Sequence, residues 1–324
     1  MASSTAPPTA PDPVGIDVAA AHQPIHWGQW LGRAVALLLA AMLAHFLITN
    51  DRLEWNVVFA WFRAPSIIKA LGVTLGLAAV SMVLGSLLGV VLAVMRMSHN
   101  RLLSGIAGAY IWFFRGTPLL VQLIFWYNLA ALQPTLGIGV PFGGPMLVEW
   151  STNTVITPLT AAILGLALNE AAYMAEIVRG GLLSVDHGQR EAAAAYGMTP
   201  LRALRRVVLP QAMRSIVPAT GNQLISMVKA TSQVSVIAMS DLLYTVQSVY
   251  NRTFQTIPLL VVAVLWYLIV TSVLNVVQSF IEYHYARGSA GQQRTLAAIV
   301  MERFAGRRRP VAAPVAETEV GDQR

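Results

Sequence analysis

Between Ala70 and Met95 the chain carries no charged side chain. A bilayer core about 30 Å thick takes roughly 20 mostly apolar helical residues to cross, so this run is long enough to span it. Five further stretches meet the same measure: Leu31–Thr49, a segment within Leu103–Leu132, Val155–Val178, Ile216–Ser240 and Pro258–Phe280. Charged residues make up 11% of the 324 and hydrophobic residues 56%, whereas soluble domains carry about 25% charged residues. A soluble fold of this length could not cover its surface with so few charges. The expected fold is one all-α integral membrane domain with about six transmembrane helices.

Several chemistries are excluded at this point. There is no cysteine, hence no disulfide, thiolate metal site or cysteine nucleophile. His22, His26, His45, His99, His187 and His284 have no metal-ligand spacing, so neither a metal nor a cofactor is expected. No GxxxxGK[ST] phosphate loop occurs, so this chain does not itself bind nucleotide. The formal charge of +7 rests almost wholly on arginine, Lys69 and Lys229 being the only lysines. A basic balance can mark nucleic-acid binding, but in so apolar a chain it marks the cytoplasmic side of a membrane protein. Lipid, not nucleic acid, is the expected surface partner.

Arginine placement orients the spans. Arg96 and Arg101 separate spans two and three, six arginines from Arg179 to Arg214 separate spans four and five, and seven follow span six. The opposite loops hold only Arg52, Arg63, Lys69 and Arg252, and loop 133–154 has no basic residue. Both termini are therefore expected in the cytoplasm. Residues 1–30 read as a disordered cytoplasmic tail, 31–66 as an extra N-terminal helix with an interfacial segment, 67–287 as the main membrane domain, and 288–324 as a second disordered tail. Trp55, Phe59, Trp61 and Phe62 interleave with charges across Asp51–Ser66. An amphipathic interfacial helix and an aromatic-anchored loop fit them equally.

Between spans four and five the chain reads Glu191-Ala192-Ala193-Ala194-Ala195-Tyr196-Gly197-Met198-Thr199-Pro200 and continues to Val207-Val208-Leu209-Pro210. Residues 188–196 are mostly strong helix formers. Gly197 suits a left-handed helix end, and Thr199 with Pro200 suits the cap and first position of a second helix. Two short helices around a break are expected. The spacing of Glu191, Ala192, Ala193, Gly197, Val207, Leu209 and Pro210 resembles the hallmark loop of ABC importer permeases. In that family the loop is a coupling helix that enters a groove of the ATPase subunit. Phe114-Arg115-Gly116-Thr117-Pro118-Leu119-Leu120-Val121-Gln122, Ala175–Gly181 and Asn222–Ser232 resemble motifs of the polar-amino-acid, histidine/glutamine-type permeases. The resemblance covers about residues 67–287 and implies five core spans, which makes span one an addition.

Charges at membrane depth are costly and face a cavity or a partner. Asn169 and Tyr173 share one face of span four, with Glu170 turned about 100° from Asn169. A substrate cavity, with Glu170 available to an ammonium or cationic side chain, competes with an interhelical hydrogen bond that only holds the bundle. Glu176 is placed to pair with Arg179 at i+3. Lys229, with Thr231 and Ser232, could meet a substrate carboxylate or neutralise Glu170; the Glu170 pairing is the preferred of the two. Thr117 and Pro118 open a helix after Gly116, so the break could expose N–H groups to an anion or be a plain cap at the membrane boundary. Gln122 is a lesser candidate on the same path. Gly72, Gly76, Gly85 and Gly89 read as helix-packing positions.

The resemblance implies the membrane subunit of an ATP-driven importer for polar amino acids. Hydrolysis would reside on separate ABC ATPase subunits, beside a second permease, same or related, and an extracytoplasmic amino-acid-binding protein. An ion-gradient-driven transporter fits the same composition and would need no ATPase. A membrane enzyme would call for clustered His, Asp or Glu at one interface, and none appears.

Overall fold

The computed structural model describes residues 27–139, 144 and 146–286. The expected terminal tails lie almost wholly outside these residues, as do Pro141, Gly143 and Pro145 of the outer loop. The chain divides into two compact units, the first ending at Leu53 and the second beginning at Glu54. In the first, α1 (Trp27–Thr49) is a helix of 23 residues, mostly apolar, with Gln29, Arg33 and His45 among its few polar positions. A 3-10 turn, Asp51–Leu53, follows it.

The second unit opens with α2 (Trp55–Phe62). This segment is a helix, as one of its two readings had it, but it is built into the core as well as carrying aromatic rings. Val58 is fully buried among Ile67, Leu242, Val246 and Leu259. Phe62 stacks on Trp266 at 4.5 Å, and the Trp266 indole N–H donates to the Phe62 carbonyl at 3.1 Å. These contacts pack α2 into the second unit, which begins at Glu54.

The long helices follow. Pro65, whose missing N–H is harmless in a first turn, opens α3 (Pro65–Arg96). Asn100 caps α4 (Arg101–Gly116), its side chain accepting from Leu102 N at 2.9 Å. Next come α5 (Leu119–Tyr127), α6 (Leu129–Leu132), a hairpin of β1 (Thr135–Gly139) and β2 (Met146–Ser151), and α7 (Thr152–Val155). Thr157 caps α8 (Pro158–Leu183). The loop helices α9 (His187–Ala195) and α10 (Pro200–Ala203) lead through a π-helical turn, Leu204–Val208, into α11 (Leu209–Ala230). After a 3-10 segment, Thr231–Ile237, Asp241 caps α12 (Leu242–Thr253), and α13 (Thr256–Ala286) closes the unit.

Among the described residues, four helices are long and apolar enough to cross a membrane: Trp30–Thr49, Pro65–Arg96, Pro158–Leu183 and Thr256–Tyr285. The other two expected spans are assembled from pieces. The third is α4 and α5, parted at Gly116–Pro118, where Thr117 is extended and Pro118 has no N–H to continue the helix. The fifth is α11 with its 3-10 extension, whose Arg214, Asn222, Gln223 and Lys229 lower its apolar character. The hairpin is a small β element within an otherwise helical chain. Leu136 faces Trp150 and Ile138 faces Val148 across it, so these apolar residues share one side.

The α3–α8 pair is the most extensive helix contact in the fold. A Cβ on Gly89 would lie 2.6 Å from Met174 Cβ and 3.0 Å from the Ala171 carbonyl, and one on Gly85 would lie 2.7 Å from Glu170 Cβ. Gly72 and Gly76 face open space, so only one of the two glycine pairs serves packing within this chain. Gly89→Leu is expected to destabilise the purified protein by about 1–3 kcal/mol, the cost of overpacking a close contact. Gly72→Leu should leave the melting temperature in detergent unchanged. Equal melting of both variants would refute this division of roles.

Candidate functional site

Asn169, Glu170 and Tyr173, which the sequence placed together, line one cavity of about 350 Å³. Its other walls are Leu119 of α5, Leu166 of α8, and Gln223, Ser226, Met227 and Ala230 of α11. Glu170 is 3% exposed. Its Oε2 accepts a hydrogen bond from Gln223 Nε2 at 3.0 Å, and its Oε1 is buried with no partner. An orphaned carboxylate oxygen in an otherwise hydrogen-bonded interior is costly. Chemically, such an oxygen can accept a hydrogen bond from a donor or cation placed in the cavity.

The neighbouring helix break is clamped to the same wall. Gln122, 5% exposed, directs Nε2 to the Phe114 carbonyl at 3.1 Å, the Thr117 carbonyl at 3.1 Å and Thr117 Oγ1 at 2.7 Å. Thr117 Oγ1 in turn donates to the Phe113 carbonyl at 2.9 Å. Asn169 Nδ2 donates to the Phe114 carbonyl at 3.0 Å and to Gln122 Oε1 at 3.2 Å. Tyr110 donates to the Leu168 carbonyl at 2.8 Å. The break therefore meets α8 near that helix's midpoint rather than at its end. Gln122 and Thr117 spend their hydrogen bonds on the break, and neither lines the cavity.

The anticipated Glu170–Lys229 pair is not formed. Lys229 lies six residues beyond Gln223 on α11, about 9 Å farther along the axis at 1.5 Å per residue, and its side chain is exposed. Thr231 is fully buried with Oγ1 donating to the Val228 carbonyl at 2.7 Å, and Ser232 Oγ donates to the Lys229 carbonyl at 2.7 Å. Lys229 lies in the last turn of α11, Thr231 and Ser232 open the 3-10 segment after it, and all three stand outside the cavity wall. Gln223 and Ser226 take the places on it. Both lie in the Asn222–Ser232 motif, but nothing local distinguished them from Lys229, since the phase of α11 decides which residues face α8. Glu176 and Arg179 pair as the i+3 spacing predicted, at 2.7 Å.

The loop at 187–210 has the expected form. Gly197 adopts φ 70°, between α9 and a second helix opened by Thr199 and Pro200. Glu191 is exposed and faces His187 Nδ1 at 3.0 Å, Ala192 and Ala194 are exposed, and Ala193 is buried. The Arg190 guanidinium donates to the Leu182 carbonyl. Met97, Leu182, Ala194, Met198 and Leu204 surround an apolar hollow of about 350 Å³ beside it. The π-helical turn through Val207 and Val208 has a local cause. Pro210 has no N–H for the Arg206 carbonyl, and the Leu209 N–H reaches back five residues to the Leu204 carbonyl. Val207, Leu209 and Pro210 thus form the joint between the loop and α11.

Comparison with known proteins places this architecture. Residues 85–288 match the family described as binding-protein-dependent transport system inner membrane component. The chain is 42% identical over 274 residues to the arginine transport system permease protein ArgU of Corynebacterium glutamicum, covering 84% of each protein. It is 37% identical over 213 residues to the nopaline transport system permease protein NocM of Agrobacterium fabrum, covering 65% of this chain and 84% of that one. A crystal structure of an amino acid ABC transporter with histidines superposes with TM-score 0.59 at 35% identity, covering 68% of this chain and 94% of the other. Inward-facing MetNI, a methionine ABC transporter, shares the fold at TM-score 0.52 and 22% identity.

The fold and these relatives define a membrane-embedded component of a transport system. This chain belongs to the binding-protein-dependent transport system inner membrane component family. It is a multi-pass inner-membrane permease subunit of an ABC importer and not an enzyme. Such permeases work with separate ATPase subunits, a partner permease and a binding protein.

Proposed function

We propose that this permease imports polar amino acids and that Glu170 receives the cationic group of the substrate. The orphaned Oε1 of Glu170, in a cavity also lined by Asn169, Tyr173 and Gln223, carries this reading. The permeases for arginine and nopaline among its relatives support an amino-acid substrate. In this reading the arginine-rich side is cytoplasmic, with both termini there. Loop 187–210, through Glu191, Ala192, Ala193 and Gly197, is the ATPase docking element, and Val207, Leu209 and Pro210 pass its movement to α11. The exposed Lys229, with Thr231 and Ser232 behind it, stands farther along the path toward the outer side. An amino-acid-binding protein delivers substrate there, and a second permease, a copy or a relative, completes the path.

The test is uptake into vesicles that hold the permease with its co-purifying ATPase and binding protein. Labelled arginine, histidine, glutamine and glutamate form the panel. Uptake should require ATP inside the vesicle and persist when ion gradients are collapsed. A cationic amino acid should be accumulated in preference to glutamate. Preference for glutamate would contradict the role given to Glu170.

A further inference from the structure

Two residues on one face of α8 each hold one residue of the last turn of α4. Asn169 binds the Phe114 carbonyl, and Tyr173, one turn on, carries the Arg115 guanidinium over its ring at 5.4 Å from the centroid. Both also line the Glu170 cavity. Arg115 is exposed within this chain, and a charge at that depth faces a watery path or a polar partner and not lipid. The cavity wall is therefore already engaged by a cation belonging to the protein.

We propose that Arg115 senses occupancy of the cavity through Tyr173 and passes it along α4 to loop 187–210, a role that rests on the substrate reading of the Glu170 cavity. A substrate cation beside Glu170 competes for the electron-rich face of Tyr173 and repels the Arg115 guanidinium. Glu176, three residues after Tyr173 on α8, is already held by Arg179 at 2.7 Å. The two arrangements that coupling between sites requires are therefore Arg115 on the Tyr173 ring, as seen here, and Arg115 displaced from it.

The transmitting element is stiff. Helix α4 is unbroken over its 16 residues, about 24 Å at 1.5 Å per residue. Its far end is fixed to α3. Arg96 Nη1 donates to the Ser104 carbonyl and to Ser104 Oγ, both at 3.2 Å, and Ser104 Oγ donates to the Arg96 carbonyl at 3.0 Å. The Arg96 guanidinium also covers Gly108, where a Cβ would come within 3.1 Å of Nη1. The next residue, Met97, lines the loop hollow with Ala194 and Met198. A shift of α4 at Arg115 is thereby felt at the wall of the loop.

ATPase activity of the assembled complex, with and without substrate-loaded binding protein, tests the link. Arg115→Gln should raise substrate-free activity several-fold toward the stimulated rate, so that the stimulation ratio collapses. Tyr173→Leu should do the same, whereas Arg115→Lys, which keeps the cation, should restore regulation. A wild-type ratio in Arg115→Gln, or a lysine variant as defective as the glutamine one, would overturn the proposal. If Arg115→Gln does not assemble, Tyr173→Leu decides on its substrate-free activity: a rise toward the stimulated rate supports the link, and an unchanged substrate-free rate refutes it. Substrate-free activity does not depend on what the cavity binds. Normal uptake by Glu170→Gln alongside deregulated Arg115→Gln would therefore reject Glu170 as the substrate's cation site, and with it occupancy sensing, while showing that the Arg115–Tyr173 contact still restrains the ATPase.

Discussion

Glu170→Gln is expected to cut uptake of a cationic amino acid by roughly ten- to hundred-fold, since a hydrogen bond to a charged group contributes about 1.5–3 kcal/mol and each 1.4 kcal/mol is a factor of about ten. Assembly with the ATPase should be unaffected. Glutamine keeps the side-chain volume beside the closely approaching Gly85, and its amide can still accept from Gln223. The substitution removes only the charge. Breaking a buried ion pair would behave differently, costing about 3–5 kcal/mol in soluble proteins because the partner stays charged and buried. Here no cation of this chain is paired to Glu170 among the described residues, so melting in detergent should stay near wild type. Adding Lys229→Met should neither rescue transport nor change stability. Strong destabilisation by Glu170→Gln, repaired by Lys229→Met, would show that the carboxylate serves the bundle and not the substrate.

What the sequence made legible here was local. Asn169 and Tyr173 sit one turn apart on one helix, so helical spacing alone put them on a common wall; Glu170, turned about 100° from Asn169, joins it only through the packing of α11 against α8. Gly197 before Thr199-Pro200 dictated a left-handed break, because both signals lie within one turn. The Glu176–Arg179 pair is equally local. Relations between helices were not legible. Whether α11 presents Gln223 or Lys229 to Glu170 depends on its axial offset against α8. That offset is set by close approaches elsewhere, such as Gly181 under Ile216, where a Cβ would come within 2.3 Å of Cγ1. Gln122 looked like a free polar group because its partners, the Phe114 and Thr117 carbonyls, become acceptors only once the break has released them. The hairpin escaped notice because Leu136, Ile138, Val148 and Trp150 alternate across two short strands separated by glycines and prolines. In an apolar chain that pattern does not stand out.

Gly197→Val is expected to abolish most ATP-driven uptake, whereas Gly197→Asn should be tolerated. Gly197 sits at φ 70° with nothing within 4 Å of where a Cβ would be built, so space does not restrict the position and only backbone strain does. A residue with a Cβ pays about 1–2 kcal/mol in the left-handed region, and asparagine is among the few that visit it readily. A β-branched side chain is a true outlier there. Valine would push the backbone toward φ below zero and swing α10, with its π-helical continuation through Val208, away from α9. That motion opens the hollow between Ala194, Met198 and Leu204 and moves the base of α11. The cavity begins at Gln223, about four turns farther along α11 than its base at Leu209, so substrate contacts are spared while the proposed ATPase surface is deformed. Co-purification of the ATPase with each variant, followed by ATP-driven uptake, separates the outcomes. Loss of both in the valine variant with retention in the asparagine variant assigns the requirement to backbone conformation. If valine and wild type bind the ATPase and transport alike, the left-handed break is dispensable, and the loop does not act through the α9–α10 angle.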